Sequence, residues 1–318
     1  MEYVFLGSTD LKISRIGLGT WQFSETWGLT DYKKAKAVIE EALRQGINFF
    51  DTAMAYGNGL SESFLGRALK ELQVKRDEVV IVTKIPGELL RPHDIMKAIE
   101  RSLSRLQLNE IDVLLVHWPP CWDHIPTCTY MRTLERLSAL GKVGYLGLSD
   151  YPIELVESAR QCLARADIEV LQVKFNLVER EAEEEHIPYA EANGMTVMAW
   201  SPLAKGALTG KYTLEDLDRL GDLRASDPLF SKENYSKVLE LVEVVRSVGK
   251  KYEKTPAQVA LNWLISYSDV IVPIPGAKSP DQVRENAGAV GWSLSYNDWL
   301  LLNEASRRVT AQISYAVW

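Results

Sequence analysis

Apolar runs recur along this chain, and a polar or ionisable residue closes each of the clearest ones. Ile47-Asn48-Phe49-Phe50 ends at Asp51, Val79-Val80-Ile81-Val82-Thr83 at Lys84, and Ile111-Asp112-Val113-Leu114-Leu115-Val116 at His117. Short runs rich in β-branched and aromatic residues read as buried strands. Strands are expected at about 15–19, 47–51, 79–84, 112–117, 143–148, 169–173, 195–200 and 270–274. Helical stretches lie between them: one at about 31–45, others starting near Ser61, Pro92, Thr129, Pro152, Glu181, Asn234 and Asp281, and a further one at about 256–266 behind the cap pair Thr255-Pro256. Eight strands separated by helices predict a closed parallel α/β barrel rather than an open doubly wound sheet. Residues 3–7 and 11–14 flank a turn, Ser8-Thr9-Asp10, and read as a β-hairpin covering the bottom of that barrel.

The 318 residues suit one barrel domain, 1–318. A net charge of -7 argues against a nucleic-acid partner or a basic membrane-binding face, so an anionic ligand would have to be drawn by local charge. The longest connection, 203–231, is polar, and Lys205, Gly206, Gly210 and Lys211 at its start favour a role in holding an anion. The segment Met1-Glu2-Tyr3-Val4-Phe5-Leu6 lacks a basic region before an apolar core, and no run reaches bilayer length. A cytoplasmic location is therefore expected. Three cysteines, Cys121, Cys128 and Cys162, predict no disulfide framework and suit a reducing compartment. Cys121-x-x-His124-x-x-x-Cys128 offers three candidate ligands where a closed zinc site takes four, so no metal is expected.

Asp51-x-x-x-x-Tyr56-Gly57, then Lys84, then His117 before Trp118-Pro119-Pro120, resembles the aldo-keto reductases. The resemblance runs from Ile16-Gly17-Leu18-Gly19-Thr20-Trp21 to Ile274-Pro275-Gly276-Ala277-Lys278-Ser279, essentially the whole chain. It implies a (β/α)8 TIM barrel with an N-terminal β-hairpin and a catalytic tetrad, Asp51, Tyr56, Lys84 and His117, gathered at the C-terminal mouth. It implies NADP-dependent reduction of aldehydes or ketones by direct hydride transfer. In that reaction Tyr56 gives the proton, the Lys84 ammonium lowers the phenol's pKa, Asp51 orients Lys84, and His117 positions the carbonyl oxygen.

No G-x-G-x-x-G fingerprint follows a strand, but the resembled family holds its dinucleotide differently. The resemblance places Ser149 and Gln172 on the carboxamide and stacks Trp200 on nicotinamide, with Trp21 nearby. Ser201-Pro202-Leu203-Ala204-Lys205-Gly206 and Lys211 would wrap the pyrophosphate. Lys278 and Ser279 would take the adenosine 2′-phosphate at a helix start, with Gly276 beside them and Gln282 and Asn286 facing adenine, so NADP(H) is favoured over NAD(H). Arg284 is a second phosphate candidate that helical spacing could turn outward.

One residue departs from the family pattern: Asp150 follows Ser149 where Asn is common, an acceptor-only carboxylate in place of an amide. It would either accept from the carboxamide or point away. Trp21, Trp27, Met54, Trp118 and Trp122 would wall a pocket suited to a carbonyl with an apolar body. The apolar end, Tyr315-Ala316-Val317-Trp318, is expected to dock on the barrel, the pocket or another subunit. The other function class consistent with these motifs is a nicotinamide-binding regulatory subunit resembling the potassium-channel β subunits.

Overall fold

A computed structural model describes residues 1–120 and 125–313. Trp122, Cys121, His124 and the 315–318 segment lie outside the described residues. The chain opens with the hairpin β1 (Tyr3–Phe5) and β2 (Lys12–Ser14). Then strand and helix alternate: β3 (Leu18–Gly19), α1 (Tyr32–Arg44), β4 (Phe49–Asp51), α2 (Leu60–Glu71), β5 (Val80–Ile85), α3 (Pro92–Leu106), β6 (Ile111–Val116), α4 (Thr127–Ala139), β7 (Val143–Ser149), α5 (Ile153–Gln161), β8 (Ile168–Lys174), α6 (His186–Asn193) and β9 (Thr196–Trp200). After the long connection come α7 (Lys232–Tyr252), α8 (Pro256–Tyr267), β10 (Ile271–Pro273), α9 (Pro280–Ala287) and α10 (Tyr296–Thr310).

Strands β3 to β10 form one parallel sheet in sequence order. Its two ends meet, because the Gly17 N–H donates to Pro273 O at 3.0 Å and the Gly19 N–H to Pro275 O at 3.1 Å. This is a (β/α)8 fold. Glycine is needed at the seam: a Cβ on Gly19 would stand 2.7 Å from Ile274 O. Phe49, Val80, Val82, Val113, Leu115, Val170, Met198 and Val272 fill the barrel interior, and Leu6 and Ile13 of the hairpin join them. The Gly7 N–H donates to Thr196 Oγ1 at the start of β9, and the Ser14 N–H to Asn48 Oδ1 just before β4. The hairpin therefore covers the N-terminal end, leaving the C-terminal mouth for chemistry.

Helix starts follow the expected signals. Thr255 accepts from the Gln258 N–H while Gln258 Oε1 accepts from the Thr255 N–H, a reciprocal cap with Pro256 in the first turn. Three features depart from expectation. Helix α6 begins at His186 rather than near Glu181, where Glu181–Glu183 makes only a single tight turn. Helix α10 was not foreseen in the pattern. Cys128 and Cys162 form a disulfide, S–S 1.95 Å, because adjacent packing of α4 and α5 brings the first turn of one beside the residue that follows the other across 34 residues of sequence. Cys128 is thereby withdrawn from any thiolate set with Cys121 and His124. No helix among the described residues is long and apolar enough to cross a membrane.

Candidate active site

Strand ends set the positions of the ionisable residues. Asp51 closes β4, Lys84 lies near the end of β5, and His117 follows β6 with its N–H still donating to Ile85 O at 2.8 Å. Ser149 closes β7 opposite Gln172 of β8, and Trp200 closes β9. Tyr56 opens a single tight turn beyond β4, Tyr56–Gly59, in which Gly57 and Asn58 both take left-handed backbone (φ 58 and 52). That turn folds the phenol back over the strand ends.

Lys84 is fully buried, and its ammonium has three hydrogens to place. They go to Asp51 Oδ2 at 2.7 Å, to Thr52 O at 2.8 Å and to Tyr56 Oη at 3.0 Å. The remaining Asp51 oxygen, Oδ1, accepts from Gln172 Nε2 at 2.8 Å. Gln172 thus holds Asp51 with one amide hydrogen, a use the sequence did not reveal. Behind Asp51, Thr20 Oγ1 donates to Asp51 O at 2.8 Å, and Ser61 Oγ donates to Thr20 Oγ1 at 2.7 Å. The cluster is held on every side.

Burial dominates the electrostatics here. Desolvation pushes Asp51 up and Lys84 down, and their mutual attraction opposes both shifts. The Tyr56 phenol sits well above its ordinary value because desolvation, then Asp51, then Asp150 disfavour the phenolate. The sequence reading had Lys84 lowering that pKa. In this arrangement the phenol stays protonated at ordinary pH, with the Lys84 ammonium against its oxygen.

Burial, with a smaller push from Lys84, drives His117 down to about 2. The ring is neutral at all ordinary pH. Its Nδ1 is buried with no hydrogen-bond partner, so the proton belongs on Nε2, since an unpaired acceptor costs less than an unpaired donor. A pH prediction follows, with its sign set by linkage. The unfolded chain binds a proton at His117 near pH 6.5 and the folded one does not, so this residue's contribution is complete above about 6.5 and declines as pH falls toward about 2. Stability measured by denaturant between pH 6 and 4 should fall less steeply in His117→Gln than in wild type. Equal slopes would contradict the neutral assignment.

Asp51, Tyr56, His117, Trp118, Ser149, Asp150, Gln172 and Trp200 open on one cavity of about 410 Å³ at the barrel mouth. It extends past Trp21, Ser201, Pro202, Leu203, Lys205 and Lys211 to Gly276, Lys278, Gln282 and Asn286. Trp21 stacks on Tyr56, centroids 6.1 Å apart, and Trp118 lies against His117 at 4.3 Å. Among the expected wall residues, Trp21, Trp27 and Trp118 line the cavity, whereas Met54 is buried in the apolar layer outside the barrel. Ser279 does not line it; its hydroxyl caps α9 by accepting from the Gln282 N–H. Arg284 turns to Glu41, at 3.2 Å, and to Asp281. Asp150 accepts from Trp200 Nε1 at 3.0 Å.

The far end of the cavity has the chemistry of an anion site. Lys278 Nζ lies 5.2 Å and the Arg224 guanidinium carbon 5.7 Å from the centre of the Trp27 ring. Burial, then Arg224, lowers the Lys278 pKa, as happens when two cations share a pocket. Asp222 bonds the Arg224 guanidinium at 2.8 and 2.7 Å and acts on Lys278 only through its field. Gln22 Oε1 is buried without a partner, and a Cβ on Gly276 would stand 1.8 Å from it. The dinucleotide's charge and flat rings fit this trench. By contrast, Lys205 and Lys211, expected on the pyrophosphate, are paired with Asp227 and Glu285, the latter at 3.0 Å. Sequence reasoning marked the long connection as anion-holding and named its lysines but missed Arg224, because residues 203–231 carry five acidic and four basic residues and no local excess of positive charge singles it out.

Four of the eight non-glycine residues with left-handed backbone among the described residues, Asp150, Ser201, Ala204 and Lys205, surround this mouth. Such conformations cost of order 1 kcal/mol each and gather where function fixes the backbone.

Comparison with known proteins agrees with this geometry. The aldo/keto reductase family model matches residues 15–307. The chain is 36% identical to the aldo-keto reductase YhdN of Bacillus subtilis, covering 94% of this chain and 91% of that protein. It is 34% identical to the NADH-specific methylglyoxal reductase of Escherichia coli, covering 96% and 98%. Among solved structures it is similar to the glycerol dehydrogenase AKR11B4 of Gluconobacter oxydans, with TM-score 0.88 and 30% identity over 99% of this chain and 98% of that one. This chain therefore belongs to the aldo/keto reductase family.

Proposed function

We propose that residues 1–318 act as one barrel that reduces aldehydes or ketones to alcohols with NADPH, Tyr56 being the proton donor assisted by Lys84, Asp51 and His117. The observation that carries the reading is the buried Lys84 ammonium, whose three hydrogens are engaged by a carboxylate, a backbone carbonyl and the Tyr56 oxygen. With the Tyr56 oxygen accepting from Lys84, the phenol's own hydrogen is left for a substrate oxygen at the cavity floor. Neutral His117 offers that oxygen a second donor through Nε2. A nicotinamide held against Trp200 would supply the chemistry of hydride donation to the carbonyl carbon. As negative charge gathers on the oxygen, Tyr56 delivers its proton, and the fixed ammonium stabilises the phenolate without reorganising. Asp51, clamped by Gln172, keeps the ammonium in place. Trp200, at the end of β9 on the cavity wall, presents a flat face for the nicotinamide ring.

NADP rather than NAD is supported by Lys278 and Arg224 beside Trp27, two cations with one carboxylate to answer them. Family membership does not decide this, since one relative is described as NADH-specific. Lys278→Met should weaken NADPH binding about tenfold, the size of one lost charge contact, and leave NADH within about twofold. Calorimetric titration with each nucleotide measures both. Equal losses would remove Lys278 from the 2′-phosphate.

The function itself is tested by following NADPH and, separately, NADH absorbance over a panel of aldehydes and ketones. Turnover with NADPH supports the reductase. Saturable binding with no turnover on any carbonyl would point instead to a nucleotide-binding regulatory subunit.

A further inference from the structure

Asp150 is the charged residue at the chemical end of the cavity that the mechanism above does not use. It stands one residue beyond β7, its left-handed backbone (φ 52) held by its N–H donating to Gln172 O at 2.9 Å. Its Oδ1 accepts from Trp200 Nε1 at 3.0 Å, so the carboxylate grips the edge of the indole. Burial pushes its carboxyl above the usual carboxylate range, and the Trp200 bond and then the nearby groups Lys174, His186 and Lys84 oppose that shift. Lys174 lies 5.7 Å from the centre of the Trp200 ring and is itself paired with Glu179 at 2.8 Å. Lys84 is already committed to Asp51. Asp150 thus has no ion-pair partner of its own within contact among the described residues, yet its field reaches Tyr56 and Lys84 at the reacting centre.

A nicotinamide ring is a cation when oxidised and neutral when reduced, so a fixed negative charge beside its seat distinguishes the two forms. We propose that Asp150, clamped to Trp200, makes this site bind the oxidised nucleotide more tightly, relative to the reduced one, than a neutral residue of the same shape would. The inference rests on the nicotinamide reading of the cavity. Two effects act in the same sense. The carboxylate attracts the cation directly through a partly wet medium. By accepting the indole N–H it also makes the ring face more negative, which strengthens the attraction of a cationic ring lying on it. The solution equilibrium of the reaction is untouched. What changes is the balance between bound forms, so the oxidised nucleotide leaves more reluctantly after each carbonyl is reduced.

Binding alone tests this, without a carbonyl. Wild type, Asp150→Asn and Asp150→Ser are titrated calorimetrically with NADP+ and with NADPH, after circular dichroism shows that each is folded. The expected result is that both neutral variants reduce the preference for NADP+ over NADPH by about tenfold, chiefly by weakening NADP+. The difference should shrink at 1 M salt, about where screening reaches 3 Å. A ratio unchanged within twofold in both variants overturns the inference and leaves the reductase reading intact. A shift that ignores salt shows a cause other than charge and overturns it as well. Wild type that binds neither nucleotide overturns the reductase reading and this inference together.

Discussion

Tyr56→Phe should lower kcat for carbonyl reduction by about a thousandfold while the NADPH dissociation constant stays within about twofold, the range expected when one positioned proton donor is lost. Phenylalanine keeps the ring that stacks on Trp21 at 6.1 Å. Only the hydroxyl disappears, and with it the hydrogen directed at the substrate. The Lys84 ammonium retains Asp51 and Thr52 O, so the site need not collapse. A rise in KM with unchanged kcat would mean that the hydroxyl binds substrate without giving it a proton. Loss of nucleotide binding would mean that Tyr56 is part of the cofactor seat instead.

The largest stability effect is expected at Asp51. Removing one member of a buried ion pair leaves the other charge uncompensated, and Asp51→Ala should lower the free energy of unfolding by about 3–5 kcal/mol. Lys84 is 0% exposed and cannot reach water to recover its hydration. The double variant Asp51→Ala/Lys84→Met removes the charge with its partner and should regain most of that loss, because a buried apolar side chain replaces an ammonium. Urea unfolding of wild type, the two single variants and the double variant forms the cycle. Additive losses would show that the pair is not coupled, contrary to the 2.7 Å contact. The double variant should nevertheless be inactive, which separates holding the fold from doing the chemistry.

The barrel was legible because each strand is a local run of apolar residues and each helix has a local start signal. The expected strand at about 79–84 is Val80–Ile85, and that at about 143–148 is Val143–Ser149. Helix α10 was missed although Ser295 caps it by accepting from the Asp298 N–H. Its run Trp299-Leu300-Leu301-Leu302 has no clear period, and Leu301 is exposed. The residues at strand ends were found for the same local reason. What was hidden depends on contacts distant in sequence: Gln172 bonding Asp51 across 121 residues, Arg224 meeting Lys278 at Trp27, and the disulfide across 34 residues. Ser279 has a hydroxyl at a helix start, which reads equally as a phosphate ligand or as a cap, and only the fold shows that it is a cap. Lys205 and Lys211 were read from the resemblance and from their place at the start of the long connection, neither of which could reveal that Asp227 and Glu285 would meet them.

The central claim is direct hydride transfer coupled to a proton from Tyr56. The most direct measurement is a single turnover with NADPH deuterated at C4 and an aldehyde, run in ordinary water with wild type and Tyr56→Phe. The account predicts that deuterium appears on the alcohol carbon of the wild-type product without dilution by solvent, and that Tyr56→Phe forms about a thousandfold less product in the same time. Washing of the label into water, or undiminished product from Tyr56→Phe, would contradict it.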